Sequence, residues 1–192
     1  MPKGKRTIDV AWSFKVKQNA AGLVEKFKTR ICARGFRQRY GYDYTETHAP
    51  VTTLVSWRAC LAEAACKGMY VAIFDIRSAY LKADLEEETY LAPFPGVTPP
   101  HKGMVMKLIH PLYGLCQAGR SFYKHLHKTM TSMGLVRSTN DHCLYTYWAE
   151  DGNILRVNCH VDDCCVTHSS PELYAKFRKE LSRAYDISEA DD

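Results

Sequence analysis

The sequence lacks any apolar run long enough to cross a membrane. A spanning helix needs about 20 predominantly apolar residues, and charged residues make up 24% of the 192 positions. It also lacks an apolar segment behind its basic N-terminus, so no secretory signal is predicted. Internal repeats and low-complexity segments are absent. With 46% hydrophobic residues, the composition is that of one globular domain or one lobe of a larger protein.

The eight cysteines contain no C-x-x-C pair. Without a secretory signal, a disulfide framework is not expected, and buried free thiols are the simplest interpretation. A zinc-binding interaction module stays open as a further hypothesis, although the spacing fits no ordinary zinc finger. Its candidate ligands are His142–Cys143, Cys159–His160 and Cys164–Cys165.

The charge is distributed unevenly along the chain. Residues 1–40 hold eleven lysines and arginines against two acidic residues, a net charge of +9, whereas residues 41–192 carry a net charge of −4. The basic end indicates a polyanionic partner, such as a nucleic acid backbone or a triphosphate. A solvated basic tail is the alternative interpretation.

Hydrophobic patterning predicts an α+β fold with an antiparallel sheet. Residues 10–17 and 23–33 alternate apolar and polar positions around a turn, which predicts a basic β-hairpin. Residues 35–50 are predicted to form a loop, and the proline-rich residues 90–100 to be irregular. The other predicted elements are helices over 52–67, 78–85, 117–133 and 171–184, and strands over 69–76, 104–109, 143–148, 154–161 and 164–167.

An acidic pair interrupts the apolar stretch near the end of the chain. Asp162 and Asp163 lie between two apolar half-strands, where burying both charges would be costly. A tight turn would place them at a hairpin tip, and adjacent carboxylates repel unless a cation neutralises them. Asp75 follows another apolar strand and supplies a third carboxylate. Such a set is typical of two-metal catalysis, and an exposed β-turn is the alternative.

Six motifs follow one another along nearly the whole chain. They read WSFKVK at 12–17, FKTRICARGFRQ at 27–38, GYDYTETHAPV at 41–51, FDIRSAYL at 74–81, LYGLCQAGR at 112–120 and HVDD at 160–163. In this order they resemble the copia-type reverse transcriptase domain of retrotransposon Pol polyproteins. A single motif would be weak evidence, but six in register are specific.

The resemblance implies a right-hand polymerase fold. Fingers are expected over about 1–68 and 86–118, and the palm, with its antiparallel sheet, over about 69–85 and 119–192. Because the sequence ends soon after the palm hairpin, the thumb is expected to be absent. RNase H and integrase segments are expected to be missing as well.

The resemblance also implies an activity, RNA-directed DNA synthesis. Two Mg²⁺ ions, or Mn²⁺ in their place, would be the cofactors, and an RNA or DNA template with its primer and dNTPs would be the partners. No membrane is expected to take part. An intracellular location in a cytoplasmic virus-like particle would follow. The alternative is an inactive truncated transposon relic that at most binds nucleic acid.

Site residues are implied by the same motifs. Asp75, Asp162 and Asp163 would be catalytic and hold the metal ions, with the backbone carbonyl of Ile76 completing a metal site. Tyr80 would be the aromatic steric gate that clashes with a ribose 2′-hydroxyl.

Other positions are expected to contact the nucleotide or the primer. Gln117 matches the glutamine that contacts the sugar and phosphate of the incoming nucleotide. Lys28 and Arg30 would grip the triphosphate, and which of these two or Arg34 faces the site is left open. His160 and Val161 are the primer-contacting candidates.

Four positions depart from the family pattern, and one of them is Cys116, which stands where Lys is usual. His160 stands where the family usually has Tyr, and histidine is smaller and titrates near neutral pH. Gly119 stands where Pro is usual, and His48 where Phe is usual. None of these changes removes a predicted metal ligand.

Overall fold

A computed structural model describes residues 4–98, 101 and 103–189. Residues 1–3, 99–100, 102 and 190–192, which belong to the predicted fingers and palm segments, lie outside the described residues. The strands are β1 (Thr7–Ile8), β2 (Val10–Gln18), β3 (Val24–Ala33), β4 (Tyr70–Ile76), β5 (Tyr90–Leu91), β6 (Met106–Lys107), β7 (Val136–Arg137), β8 (Leu144–Trp148), β9 (Ile154–His160), β10 (Asp163–His168) and β11 (Ile187–Glu189). The helices are α1 (Leu54–Lys67), α2 (Ala118–Ser132) and α3 (Pro171–Leu181).

The chain divides into two compact units. The first comprises Met1–Thr47 and Ala83–Ser121, and the second comprises His48–Lys82 and Phe122–Asp192. The boundaries of these units differ from those of the predicted fingers and palm, since residues 48–68 belong to the second unit and residues 83–85 and 119–121 to the first. The fingers and palm names for the two units stay a prediction.

The first unit contains an amphipathic ribbon formed by β2 and β3. Its turn is held by Asn19, whose side chain accepts hydrogen bonds from two backbone N–H groups at 3.0 Å. Residues paired across an antiparallel ladder project to the same face. Phe14 therefore lies on the apolar face of the ribbon, whereas Lys15 pairs with Lys28 on the opposite, basic face.

Two glycine backbones lie in contact elsewhere in the first unit. A Cβ on Gly35 would lie 1.9 Å from the carbonyl oxygen of Gly114, and one on Gly114 would lie 2.2 Å from that of Ala33. The Ala33 N–H donates to the Tyr113 carbonyl at 2.7 Å beside this contact. The two motifs around these glycines are therefore joined backbone to backbone.

The second unit is built on a six-stranded antiparallel sheet in the order β11-β4-β10-β9-β8-β7. Helices cover both faces. Phe177 of α3 packs on Phe74 of β4, with ring centroids 6.4 Å apart. On the opposite face, Glu63 of α1 forms an ion pair with Arg156 of β9 at 2.8 Å.

Local signals explain where the helices of the second unit begin and end. Thr53 caps α1 by accepting from the Ser56 N–H, and Gly68 ends it in the left-handed conformation. Ser170 caps α3, and Pro171 occupies its first position, where its missing N–H is not needed.

The α+β class with an antiparallel sheet is confirmed, as a mixture of three helices and several sheets in the described part of the chain. The predicted helix over 78–85 is wrong in length. Only a 3₁₀ turn, Ala79–Lys82, forms there, after Ser78 adopts a φ of +53° that no α-helix contains. The short strands β1, β5, β7 and β11 were not predicted, because two or three residues carry no periodicity. β5 lies in the segment 90–100 that was predicted to be irregular.

Candidate active site

The acidic pair lies at the tip of the β9–β10 hairpin. β9 ends at His160, β10 begins at Asp163, and these two residues are paired in register. Val161 and Asp162 form the two-residue turn between them. Asp162 and Val161 are partly buried, whereas Asp163 and His160 are exposed. The predicted turn is therefore present, and the two primer-contacting candidates lie next to it (His160) and within it (Val161).

Asp75 reaches the same edge of the sheet from β4. It is paired in register with Asp163, and residues directly opposite in an antiparallel pair project to the same face. The Ile76 N–H donates to the backbone carbonyl of Asp162 at 2.9 Å, which fixes the turn against the end of β4. The structure thus brings together the three aspartates that the sequence predicts.

The strand positions the Asp75 side chain through its neighbours. Phe74 and Ile76 are 1% and 0% exposed, and both project to the face opposite Asp75. Because the two flanking residues are fixed in the core, the carboxylate of Asp75 is held on the other face of the sheet. The alternation of side chains along β4 therefore determines the face to which the Asp75 carboxylate projects.

Backbone strain is concentrated beside this edge. Among the described residues, the only non-glycine residues with positive φ are Ser78, at +53°, and Val161, at +59°. A β-branched residue in this region is a genuine outlier, and such conformations cost about 1–3 kcal/mol each. Both lie within three residues of a candidate aspartate, and strained residues of this kind cluster at functional sites.

The chemistry of the three carboxylates fits Mg²⁺. Magnesium prefers hard oxygen ligands and is commonly bound by one or two carboxylates together with substrate phosphates. Within residues 4–98, 101 and 103–189, no three His, Cys, Asp or Glu side chains are grouped closely enough to hold a metal ion by themselves. The zinc hypothesis finds no support in the same residues, where the cysteines are free thiols.

Tyr80 lies in the 3₁₀ turn that follows β4. Its ring meets the Phe122 ring edge-on, with centroids 6.2 Å apart and an interplanar angle of 72°. Partial burial raises the pKa of Tyr80, and the negative charge of Asp162 raises it further. The phenol thus stays neutral near Asp162, with Phe122 behind its ring.

A second buried ring supports Phe122. Tyr185 contacts it edge-on at 6.1 Å, and the Tyr185 hydroxyl is hydrogen-bonded to Nδ1 of His125 at 2.7 Å. Burial raises the pKa of Tyr185 to about 12. Sequence analysis missed Phe122 and Tyr185, because their only signal is an apolar position in or after a helical pattern.

The triphosphate candidates lie on the ribbon of the first unit. Lys28 and Arg30 are two residues apart on β3 and share the basic face with Lys15. The Arg30 guanidinium lies over the Tyr113 ring, 5.7 Å from its centroid. The structure therefore fixes the shared face of these residues but not which of them binds a triphosphate.

Gln117 is an interior residue of the first unit. It is 2% exposed, its amide oxygen accepts from Gln38 at 2.9 Å, and its amide nitrogen donates to the Asp43 carbonyl at 3.3 Å. Gln38 also accepts from the Cys116 N–H at 2.8 Å. The predicted nucleotide contact of Gln117 therefore stays a prediction that requires these bonds to exchange.

The family model for reverse transcriptase (RNA-dependent DNA polymerase) matches residues 1–192. The chain belongs to this family, which is a family of nucleotidyltransferases. The HVDD motif of this family forms the tip of the β9–β10 hairpin in the second unit.

The relatives are Pol polyproteins of transposons. The chain is 33% identical over 190 residues to the Pol polyprotein of transposon TNT 1-94 from Nicotiana tabacum, covering 98% of this chain and 14% of that protein. It is 30% identical over 189 residues to that of transposon RE1 from Arabidopsis thaliana, covering 98% and 13%. The truncated Ty1-A Gag-Pol polyprotein of Saccharomyces cerevisiae is 34% identical over 123 residues, covering 62% and 9%.

The chain therefore spans about one seventh of the length of the two plant relatives, which carry further segments. In the described part of the chain, no helix combines the length and apolar character needed to cross a membrane.

Proposed function

We propose that this chain performs RNA-directed DNA synthesis, adding dNTPs to a primer 3′-hydroxyl at the edge formed by Asp75, Asp162 and Asp163. The observation that carries the proposal is the direct pairing of Asp163 with Asp75 beside the Asp162 turn. Three carboxylates held on one edge create a negative field that a divalent cation would neutralise.

The candidate site residues of the second unit have distinct roles in this proposal. Asp75 and Asp162 would hold Mg²⁺ with the Ile76 carbonyl, and Asp163 would support them electrostatically. When bound, the two ions supply activation of the 3′-hydroxyl and stabilisation of the leaving pyrophosphate. Tyr80 would exclude a ribose 2′-hydroxyl, and its neutral phenol adds no repulsion toward phosphate.

The remaining residues would position the substrates. Lys28 and Arg30 would bind the triphosphate oxygens, for which a guanidinium is suited because it forms two parallel hydrogen bonds. Gln117 would contact the sugar and phosphate. His160 and Val161 at the hairpin tip would contact the primer end. Because the relatives include a Gag-Pol polyprotein, a cytoplasmic virus-like particle is the proposed place of action.

The experiment is template-directed dNTP incorporation on a primed RNA with Mg²⁺. The chain is compared with Asp162→Asn and with a matched control, Asp151→Asn, which changes an exposed turn aspartate of the β8–β9 hairpin. Incorporation by the wild type and the control, lost in Asp162→Asn, is the expected result. Equal incorporation by all three proteins would contradict the proposal.

A second candidate function is nucleic acid binding without polymerase activity. The observation that favours it is the internal bonding of the Gln117 amide to Gln38 and Asp43. It predicts no incorporation by any of the three proteins, together with RNA–DNA duplex binding that weakens as salt rises, since phosphate contacts release counterions.

A further inference from the structure

Three large aromatic side chains are exposed on one short loop of the first unit. We call residues 34–44 the aromatic–arginine loop. Phe36, Tyr40 and Tyr42 in it are 81%, 73% and 72% exposed. Aromatic rings are the side chains that contribute most to binding when buried, and clustered exposed ones mark interaction sites.

The loop presents these rings on a fixed backbone. The Asp43 carboxylate accepts from the Arg39 N–H at 2.8 Å and from the Arg6 guanidinium at 2.9 Å. The Gly41 N–H donates to the Tyr44 carbonyl at 2.8 Å, and the Tyr40 ring meets the Tyr44 ring edge-on at 5.9 Å. Little conformational freedom is therefore left to lose when a ligand binds.

Positive charge accompanies the exposed rings. The loop contains three arginines and one aspartate. The Arg39 guanidinium lies over the Tyr42 ring, 4.9 Å from its centroid. It also pairs with the Asp43 carboxylate at 3.6 Å, while its side chain stays 50% exposed. Arg37, which pairs with Asp9, is 54% exposed. A ligand of this surface should therefore combine negative charge with flat apolar groups.

Unpaired nucleic acid has this combination of properties. Its bases are free to stack on aromatic rings, and its phosphates pair with guanidinium groups, whereas the bases of a duplex are stacked on one another and offer no open face. We infer that the aromatic–arginine loop binds single-stranded nucleic acid through base stacking on Phe36, Tyr40 and Tyr42, with Arg39 contacting the phosphates. This inference rests on the proposed function for one point, that the strand is the unpaired RNA template.

The test measures binding of the full chain to a fluorescently labelled single-stranded RNA of about 12 nucleotides, a length in the range that stacking surfaces occupy. The triple variant F36S/Y40S/Y42S is expected to bind about ten-fold more weakly or worse. Because all three positions are exposed, the folded state should persist, which circular dichroism would verify. The matched control Trp148→Ser removes a 61% exposed aromatic from the second unit and should bind as the wild type does.

Two further measurements separate stacking from general electrostatic attraction. Arg39→Gln should reduce the dependence of log binding constant on log salt by the share of about one phosphate contact, roughly 0.7 for a single strand. The triple variant should keep the wild-type salt dependence and the wild-type affinity for blunt duplex RNA.

Three results would overturn the inference. Unchanged single-strand affinity in the triple variant is the first, and an equal loss for duplex and single strand is the second. The third is a loss of self-association with no loss of RNA binding, which would make the loop an interface between copies of this chain. Asp162→Asn should bind RNA normally while losing dNTP incorporation. A failure of the polymerase proposal would therefore show in the incorporation assay and not in the RNA-binding assay.

Discussion

Asp163 of β10 lies directly opposite Asp75 of β4, with both carboxylates on the same face of the antiparallel sheet. Like charges placed directly across a sheet destabilise the fold, typically by a few tenths to about 1 kcal/mol. A divalent cation bound at this edge, as proposed above, would offset that repulsion.

The first prediction concerns Asp163→Asn, which keeps the side-chain shape and removes one charge. The free energy of unfolding without metal should rise by about 0.2–1 kcal/mol, because the repulsion with Asp75 is relieved. In the proposed reaction, dNTP incorporation should fall by roughly two orders of magnitude, since bound metal ions supply several kcal/mol of transition-state stabilisation. Urea unfolding and primer extension measure the two effects, and a variant that is both less stable and fully active would contradict this prediction.

Much of the fold was predictable, because its signals are local. The alternation in β2 and β3, the Thr53 and Gly68 helix boundaries and the acidic turn all depend on neighbouring residues. The pairing of Asp75 with Asp163 was not readable from either segment, since register between distant strands depends on how the whole sheet assembles. The strand end and the acidic turn only suggested that these carboxylates could meet, and the family resemblance made that expectation specific.

The interior position of Gln117 shows a different limit. A glutamine at a helix start has the same sequence signal whether it faces a nucleotide or a buried partner. Its burial depends on Gln38 and Asp43, which approach it from a distant loop. A polar residue in a recognised motif can thus have a structural role or a ligand-binding role, and only its contacts in the structure distinguish the two.

The second prediction tests the strained turn. Val161→Gly removes the Cβ that makes a φ of +59° unfavourable. The relief of about 1–3 kcal/mol should exceed the 0.5–1 kcal/mol that glycine costs through unfolded-state entropy, so the free energy of unfolding should rise. Val136→Gly, at a 57% exposed strand position without positive φ, should instead lower it. Equal losses in both variants would show that Val161 is not strained.

The third prediction tests the glycine contact between the two motifs of the first unit. Gly114→Ala adds both a φ penalty at +92° and a clash with the Ala33 carbonyl, whereas Gly22→Ala adds only the φ penalty at +77°, in open space. We expect Gly22→Ala to cost about 1 kcal/mol and Gly114→Ala to cost about 2 kcal/mol more. Denaturant unfolding compares them, and similar losses would mean that the backbones separate readily.

The fourth prediction concerns pH. His168 stacks between Tyr70 and Tyr174, and its burial lowers its pKa, although a hydrogen bond with the Ser170 carbonyl partly opposes the shift. The folded state thus binds this proton more weakly than the unfolded chain does. The free energy of unfolding should be fully retained above the unfolded pKa near 6.5 and should fall as the pH drops through it toward the folded pKa.

His168→Phe keeps a flat ring in the stack and removes the titration. Thermal unfolding between about pH 7 and pH 5 should therefore depend less on pH in this variant than in the wild type. Some dependence should remain, because burial also lowers the pKa of His127. Identical pH profiles for the two proteins would show that His168 protonation does not oppose folding.

The fifth prediction concerns the ring behind Tyr80. Phe122→Leu shortens the side chain that makes an edge-to-face contact with Tyr80. The Tyr80 ring should then gain freedom to move away from the ribose 2′-hydroxyl that it is proposed to exclude. Ribonucleotide incorporation relative to deoxyribonucleotide incorporation should rise several-fold, while the cavity should lower the free energy of unfolding by about 1–2 kcal/mol. Phe177→Leu is the matched control, because it opens a comparable cavity against Phe74 without touching Tyr80. Loss of stability in both variants with altered sugar selectivity only in Phe122→Leu would identify Phe122 as the residue that positions the gate, whereas equal selectivity changes would reduce its role to general packing.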